Sequence, residues 1–220
     1  MKQFVVIGIG RFGSSLATRL CELGHEVLAI DKDEEVIQRI SDNVTHAISA
    51  DATDENVLKS LGVRNFDVGV VSIGADIESS IITTLMLKEI GVSYVVAKAM
   101  NEQHAKVLFK IGADRVVFPE RDMGTRVAHN LIATNILDFI ELSPEYSIIE
   151  FAVFSAWIGK SLKELNLRAK HGVNVVAVKN ENNDEYISVS PSPDYEFKEG
   201  DLLVVIGANE DLRKLEKKIE

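Results

Sequence analysis

The sequence predicts an α/β protein that begins with a doubly wound parallel sheet and ends with a second, smaller α+β domain. Three observations predict this class. Up to Pro119, short runs rich in valine and isoleucine alternate with longer, helix-like runs. These strand-like runs do not alternate apolar with polar residues, which is typical of parallel strands covered on both faces. After Pro119 the pattern changes to a long helical stretch and then to closely spaced strands.

The first part is predicted to consist of βα units that follow one another along the chain. Gly24, Gly62, Gly91 and Gly112 each fall where a helix is expected to end on a left-handed residue. The strand-like segments are FVVIGIG, HEVLAID, HAISAD, DVGVVSIG, YVVAKAM and RVVFPE. The helix-like segments between them are SSLATRLCELG, EEVIQRISDN, ENVLKSLG, ESSIITTLMLKEIG and EQHAKVLFKIGA.

The second part begins with a predicted long helix, DMGTRVAHNLIATNILDFIEL, that ends at Ser143-Pro144. We assign residues 1–124 to the first domain, 125–143 to crossover or linker helices, and 144–220 to the second domain. Small domains bury a low fraction of their surface, so we expect the second one to dimerise. Its predicted elements are strand SIIEFAVF, helix GKSLKELNLRAKHG, strand VNVVAVKN, turn NENND, strand EYISVS, connection PSPDYEF, strand DLLVVIG and helix ANEDLRKLEKKIE.

Charge and composition argue against several classes of protein. The formal net charge of -10 would repel nucleic-acid phosphate, so we expect no DNA or RNA partner. Cys21 is the sole cysteine, which excludes an intramolecular disulfide. Met1-Lys2-Gln3 leads straight into a strand without the apolar region of a signal peptide, and charged residues interrupt the apolar stretch 77–100. We therefore expect a cytoplasmic protein that reaches the membrane only through a partner.

The loop after the first strand has the pattern G-x-G-x-x-G, formed by Gly8, Gly10 and Gly13, and Asp31 ends the next strand. In a Rossmann-like domain the first glycine makes a tight turn, the second lets a phosphate approach the backbone, and the third lets the helix pack closely on the strand. An acid at the position of Asp31 accepts hydrogen bonds from ribose hydroxyls. The alternative is a tight turn that binds no ligand.

Arg11 lies inside this loop. We include two neighbouring residues in the predicted nucleotide site: Phe12, which follows Arg11, and Lys32, which follows Asp31. A cation at the start of a helix favours a nucleotide with a terminal phosphate, such as ATP or ADP, over one whose phosphates are both internal. The alternatives are a solvent-facing arginine that covers the loop, and NAD as the ligand.

The ends of the later strands are expected to line the same cleft, since ligands of such sheets lie outside the carboxyl ends of the strands. Asp51 and Thr53 either reach the base or cap the next helix, and Lys98 either meets phosphate or lies in water. Glu120 would repel phosphates unless a divalent cation lies between them; the alternative is an acid at a helix start that is paired with Arg121 or favoured by the helix dipole. The residues at these ends are Asp51, Ala52, Thr53, Ile73, Gly74, Ala75, Lys98 and Glu120.

Residues for catalysis are missing from the pattern. The histidines have no paired spacing typical of a metal site or a catalytic dyad, and no hydrolase or kinase motif is present. The second domain is too small, and too poor in convergent ionisable groups, for a catalytic domain. We therefore expect a protein that is not an enzyme, with a small NAD-dependent oxidoreductase as the less favoured alternative.

Nearly the whole chain resembles the regulators of potassium conductance (RCK domains), the gating subunits of Ktr- and Trk-type bacterial potassium uptake systems. The resemblance is carried by FVVIGIGRFGSSLA, GHEVLAIDKDEE, THAISADATDEN, LKSLGVRNFD, HAKVLFKIGADRVVFPERDMG, EYSII and LNLRAKHGVNVVAV. It implies a homo-oligomer, an octameric ring, that docks on a membrane potassium-translocating subunit and gates it in response to ATP and ADP. The Trk branch implies NAD(H) as the alternative ligand.

The resemblance also implies roles for single residues. Arg11 would contact the terminal phosphate, Asp31 the ribose, and Asp51 and Ala52 the adenine side. Glu120 would hold a divalent cation, Mg²⁺ or Ca²⁺, between paired nucleotides. In the second domain the resemblance implies a site for the second messenger cyclic di-AMP, lined by Arg168, Asn174, Val175 and Pro191.

Overall fold

Six short segments form one parallel sheet in the computed structural model, which describes residues 1–132, 136–180 and 183–216. The sheet has the order β3-β2-β1-β4-β5-β6, so the strand order reverses between β1 and β4. This doubly wound arrangement confirms the predicted fold class of the first part. The strands are β1 (Gln3–Ile7), β2 (Glu26–Asp31), β3 (His46–Ser49), β4 (Val68–Val71), β5 (Tyr94–Lys98) and β6 (Arg115–Val117).

The helices of this unit begin at polar caps, with one exception. Side chains of Asp33, Asp54, Asp76 and Asn101 accept hydrogen bonds from the first turns of α2 to α5, whereas the residue before α1 is Gly10, which has no capping side chain. The first turn of α1 therefore keeps its amide groups free of a side-chain acceptor. The helices are α1 (Arg11–Glu22), α2 (Glu34–Ile40), α3 (Glu55–Ser60), α4 (Ile77–Ile90) and α5 (Glu102–Lys110).

The core lies on both faces of the sheet. Val5 and Ile7 of β1 face one side, whose buried partners include Leu87 of α4, and Val6 faces the other side with Ala17 of α1. This is the reason for the apolar runs without alternation in the sequence. The four glycines predicted to be left-handed have φ between +68° and +103°, as expected: Gly24, Gly62, Gly91 and Gly112.

The chain divides into two compact units, Met1–Glu120 and Arg121–Glu220. The second unit has an antiparallel sheet of order β10-β9-β11-β8-β7. Its core includes Phe151 and Leu203. No helix in the described ranges is long and apolar enough to cross a lipid bilayer. The remaining elements are α6 (Pro119–Ile132), β7 (Ile136–Ser143), β8 (Tyr146–Ala152), α7 (Leu162–Leu165), α8 (Leu167–His171), β9 (Asn174–Asn180), β10 (Asn183–Val189), β11 (Asp201–Ala208) and α9 (Asn209–Glu216).

The prediction of linker helices over 125–143 is wrong for its last part, because 136–143 is strand β7. The turn after Ser143 brings this segment back beside β8, where Phe139 pairs with Ile149 and Ile140 with Ile148. Pairing with an adjacent strand outweighs the helix preference of its leucine and glutamate residues. Residues 133–135 of the predicted helix lie outside the described residues.

The predicted helix GKSLKELNLRAKHG is also corrected. It divides into α7 and α8 at Asn166, whose φ of +44° is left-handed and cannot continue a helix. Two further predictions fall partly outside the described residues: the turn NENND at 181–182 and the C-terminal helix at 217–220.

Candidate functional site

A cavity of about 270 Å³ lies at the carboxyl ends of the strands, at the point where the sheet order reverses. This is where open α/β sheets bind their ligands. The structure brings together most of the residues predicted from the strand ends and the glycine loop. Those that line the cavity are Gly8, Gly10, Asp31, Lys32, Asp51, Ala52, Thr53, Ile73, Gly74 and Ala75.

Gly8 and Gly13 fix the shape of the glycine loop. Gly8 has φ +88°, and a Cβ there would lie 2.9 Å from the backbone nitrogen of Ile73. A Cβ on Gly13 would lie 2.0 Å from the carbonyl oxygen of Gly8 and 2.5 Å from the hydroxyl of Ser72. That hydroxyl donates to the same carbonyl at 2.7 Å. Both positions therefore need glycine for turn geometry and for close packing of α1 on the sheet.

Gly10 differs from the other two glycines, because a Cβ added there meets nothing within 4 Å. The open space lies at the first turn of α1, which has no capping side chain and no acidic residue. The amide groups and the positive end of the helix dipole at this turn attract anions. The residues present therefore fit a phosphate group that approaches the backbone at Gly10.

Asp31 ties the glycine loop to the end of β2. Its carboxylate accepts the amide of Ile9 at 2.6 Å through Oδ2 and the amide of Asp33 at 3.0 Å through Oδ1. Each carboxylate oxygen can accept a second hydrogen bond. Asp31 can thus hold the loop in place and still accept from hydroxyl groups of a ligand in the cavity.

Asp51 and Thr53 form a closed turn rather than a helix cap. The hydroxyl and the amide of Thr53 donate to Oδ1 of Asp51 at 2.7 and 2.9 Å, and these bonds lower the pKa of Asp51. The cap of α3 is Asp54. The alternative that Asp51 or Thr53 caps the next helix is therefore wrong, and both remain at the cavity wall.

Lys98 and Glu120 do not line the cavity but form an ion pair beside Gly74, which does. The Lys98 side chain is 10% exposed and that of Glu120 is 70% exposed. The hydrogen bond from Lys98 is the main cause of the lowered pKa of Glu120, with a smaller contribution from the charge of Arg11. The alternative of a Lys98 in water is wrong, since Lys98 pairs with Glu120. The alternative of an acid at a helix start is confirmed for Glu120, which lies in the first turn of α6 (Pro119–Ile132).

The remaining predicted residues of the glycine loop lie outside the cavity. Arg11 is exposed on a groove between α1 and α2 that Ser14 and Arg39 also line. Phe12 lines another groove, together with Leu16 and Val68.

Several polar residues of the cavity wall were not predicted from the sequence, among them Ser72, Asp76, Ser79 and Thr83. Asp76 caps α4 by accepting the amide of Ser79 at 3.0 Å and its hydroxyl at 2.6 Å. The signal was present: Asp-x-x-Ser follows the end of β4, as at a helix start, and Thr83 lies one turn after Ser79 on the same face.

The predicted cation site at Glu120 stays a prediction. In the part of the chain that the structure describes, no three histidine, cysteine, aspartate or glutamate side chains gather in a group able to hold a metal ion. A cation at Glu120 would have to take further oxygen ligands from a bound phosphate or from another subunit, as the resemblance implies.

A groove of about 430 Å³ in the second unit brings together the four residues implied for the second messenger. Arg168 follows the left-handed Asn166 in α8, Asn174 and Val175 begin β9, and Pro191 follows β10. The groove is lined by two basic residues, Lys163 and Arg168, by the amides of Asn166 and Asn174, and by apolar residues. Their role in binding remains a prediction.

Two domain families match the chain. Residues 4–119 match the TrkA-N domain and residues 148–220 match the TrkA-C domain. The chain is 47% identical to the Ktr system potassium uptake protein C of Bacillus subtilis, over 99% of this chain and 97% of that protein. It is 46% identical to the Ktr system potassium uptake protein A of the same organism, over 98% and 96%.

Solved structures with the same fold include complexes with nucleotides. A GsuK channel bound to NAD has a TM-score of 0.53 and 25% identity, over 100% of this chain and 38% of that chain. A GsuK bound to ADP has a TM-score of 0.51 and 25% identity, over 60% and 34%. The chain thus spans well under half of the length of the GsuK chains.

Proposed function

This chain belongs to the TrkA-N and TrkA-C domain family, with the regulators of potassium conductance, and we propose that it is a nucleotide-sensing regulatory subunit of a potassium uptake system. The observation that carries the proposal is the cavity at the sheet reversal, with its uncapped helix start at Gly10 and the carboxylate of Asp31. A nucleotide supplies the phosphate and the ribose that these two groups are suited to hold. The resemblance to potassium uptake proteins supplies the regulatory role.

We propose ATP and ADP as the ligands between which the protein discriminates. A switch responds to two ligands only if their contacts differ between its two states, and ATP and ADP differ by one phosphate. Lys98 lies beside Gly74 of the cavity wall, and Arg11 begins α1 directly after Gly10. They are suited to contact the terminal phosphate, and Glu120 is suited to hold Mg²⁺ or Ca²⁺ beside it.

In the second unit we propose that cyclic di-AMP binds in the groove lined by Arg168 and Asn174. The guanidinium group of Arg168 provides the positive charge that a phosphodiester needs. Val175 and Pro191 provide apolar surface for a purine ring. This site is separate in the chain from the proposed ATP cavity.

We further propose that copies of this chain assemble into a ring, octameric as the resemblance implies, which docks on a membrane potassium-translocating subunit at the inner face of the cell membrane. Its nucleotide sites and the pore then lie in different chains, so that the regulation is allosteric in the strict sense. The related chains are potassium uptake proteins, which supports a regulatory rather than a catalytic role.

A second candidate is a sensor of NAD(H). It is favoured by the GsuK structures, in which the same fold is bound to NAD in one case and to ADP in another. The two candidates share the cavity and the role of Asp31. They differ in whether a terminal phosphate is recognised.

Calorimetric titration with ATP, ADP and NADH, each in EDTA and in Mg²⁺ or Ca²⁺, tests the proposal. We expect ATP and ADP to bind, and the cation to strengthen ATP binding more. Replacement of Arg11 by alanine should reduce the preference for ATP over ADP. Binding of NADH alone would favour the second candidate, and a protein that binds none of these ligands would contradict both.

A further inference from the structure

The Lys98–Glu120 ion pair joins the end of β5 to the start of α6. Lys98 is the last residue of β5, and Glu120 lies in the first turn of α6. The two side chains differ sharply in exposure, at 10% for Lys98 and 70% for Glu120. A nearly buried ammonium must keep an anionic or polar partner, whereas an exposed carboxylate can be solvated by water at little cost.

The Lys98 ammonium is also within reach of the cavity. A Cβ added to Gly74, which lines the cavity, would lie 3.5 Å from Nζ of Lys98. An anion that extends over Gly74 would therefore meet this ammonium. The carboxylate of Glu120 and such an anion would compete for the ammonium group of Lys98. The phosphate carries more charge and would attract this group more strongly.

We propose that Lys98 exchanges Glu120 for a phosphate of the bound nucleotide, which frees the carboxylate in the first turn of α6. Occupancy of the cavity is thereby transmitted to α6 by one ammonium group with two alternative partners. The inference rests on the proposed function, since it requires a ligand that carries phosphate. Lys98 and Glu120 would then respond to the nucleotide together, as one switch, rather than contact it independently.

The first test measures binding of ATP and of adenosine by calorimetry in EDTA, so that no divalent cation takes part. Glu120→Gln removes the competitor of the phosphate, and we expect ATP to bind about two- to fivefold more tightly, with adenosine unchanged. Glu26→Gln is the matched control, because it removes the same charge at the first residue of β2, whereas the cavity lies at the last residue, Asp31. It should leave both affinities unchanged.

Tighter ATP binding by Glu120→Gln has a rival explanation, the removal of direct repulsion between carboxylate and phosphate. A double-mutant cycle with Lys98→Met separates the two. In the Lys98→Met background, exchange predicts that Glu120→Gln no longer tightens ATP binding. Direct repulsion predicts that the tightening persists or grows, and that result would overturn the proposal.

Failure of this inference is distinguishable from failure of the proposed function. If the parent protein binds neither ATP nor ADP, the proposed function is wrong. If the parent binds ATP but Glu120→Gln binds it equally or more weakly in EDTA, the exchange is wrong and the proposed function stands. Should Lys98→Met not fold, Lys98→Gln replaces it; should neither fold, equal or weaker ATP binding by the exposed Glu120→Gln variant still overturns the exchange.

Discussion

Two glycines of one loop differ in what an added methyl group would meet. At Gly13 the new carbon would lie 2.0 Å from the Gly8 carbonyl and 2.5 Å from the Ser72 hydroxyl, so backbone must move. We expect Gly13→Ala to lower the free energy of unfolding by about 3 kcal/mol, the upper range for overpacking. Urea unfolding followed by circular dichroism measures this, and a loss within experimental error would show that α1 can shift freely.

Gly10→Ala is the complementary variant, since its methyl group would enter open space. Its φ of -69° suits alanine, and only the weaker helix-capping preference of alanine opposes it. We expect a stability loss below about 1 kcal/mol but a loss of ATP affinity of about tenfold, because the methyl group lies where a phosphate approaches the backbone. Unchanged ATP affinity would place the phosphates elsewhere.

His104 gives the first unit a dependence of stability on pH. It is 3% exposed, its Nδ1 accepts the amide of Met100, and its Nε2 has no hydrogen-bond partner within the described residues. Burial lowers the pKa of His104. The unfolded chain therefore takes up a proton near pH 6.5, before the folded chain does, and stability falls as pH falls through that range.

We expect His104→Gln to reduce this loss of stability, because glutamine at the third position of α5 can still accept an amide hydrogen bond and carries no titratable group. Urea unfolding of parent and variant at pH 7.5, 6.5 and 5.5 checks it. The difference in unfolding free energy should shift in favour of the variant toward low pH. A parallel pH dependence of the two proteins would contradict the assignment.

At the scale of elements, the break between α7 and α8 depends on one residue. Asn166 has φ +44° and ψ +52°, a left-handed conformation that glycine adopts freely and asparagine tolerates better than alanine. We expect Asn166→Ala to cost about 1 kcal/mol of stability and Asn166→Gly to cost little. Chemical denaturation of both variants checks this, and equal losses would indicate that the asparagine side chain, not the backbone, matters.

The elements that sequence analysis predicted well are those whose signals are local. Parallel strands appeared as uninterrupted apolar runs, and helix ends were marked by glycines such as Gly62 and Gly112 with positive φ. The strand β7 was missed because its conformation depends on pairing with β8, which lies beyond a turn. The left-handed Asn166 was missed because asparagine is common in many conformations and carries no clear signal.

For the cavity too, the residues with local sequence signals could be predicted and those placed by distant contacts could not. Gly8, Gly13 and Asp31 were predictable because their spacing reflects the local geometry of a strand, a turn and a helix. The partner of Lys98 was not predictable, because Glu120 is brought to it by the pairing of β5 with β6 and by the start of α6. Fold and loop could thus be predicted from sequence, but the charge pairing around the site could not.

At the scale of the whole molecule, two separate cores each carry their own candidate ligand site. The cavity belongs to Met1–Glu120 and the groove with Arg168 to Arg121–Glu220. Trp157, the sole tryptophan of the chain, packs in the second core, where its ring centroid lies 6.4 Å from that of His171 in α8. His171 belongs to the same short helix as Arg168 of the groove, so a ligand that shifts α8 would change the fluorescence of Trp157.

We expect a substitution at one of the two sites to lower the affinity for the ligand of that site only. Arg168→Ala should reduce cyclic di-AMP affinity about tenfold, through loss of charge-assisted hydrogen bonds, and leave ATP affinity within about twofold. Gly10→Ala should do the reverse. Trp157 fluorescence titrated with cyclic di-AMP and calorimetry with ATP measure the two affinities in each variant. If Arg168→Ala weakened ATP binding as strongly as cyclic di-AMP binding, the ligands would share a site or a conformational change, and the assignment of one ligand to each core would be wrong.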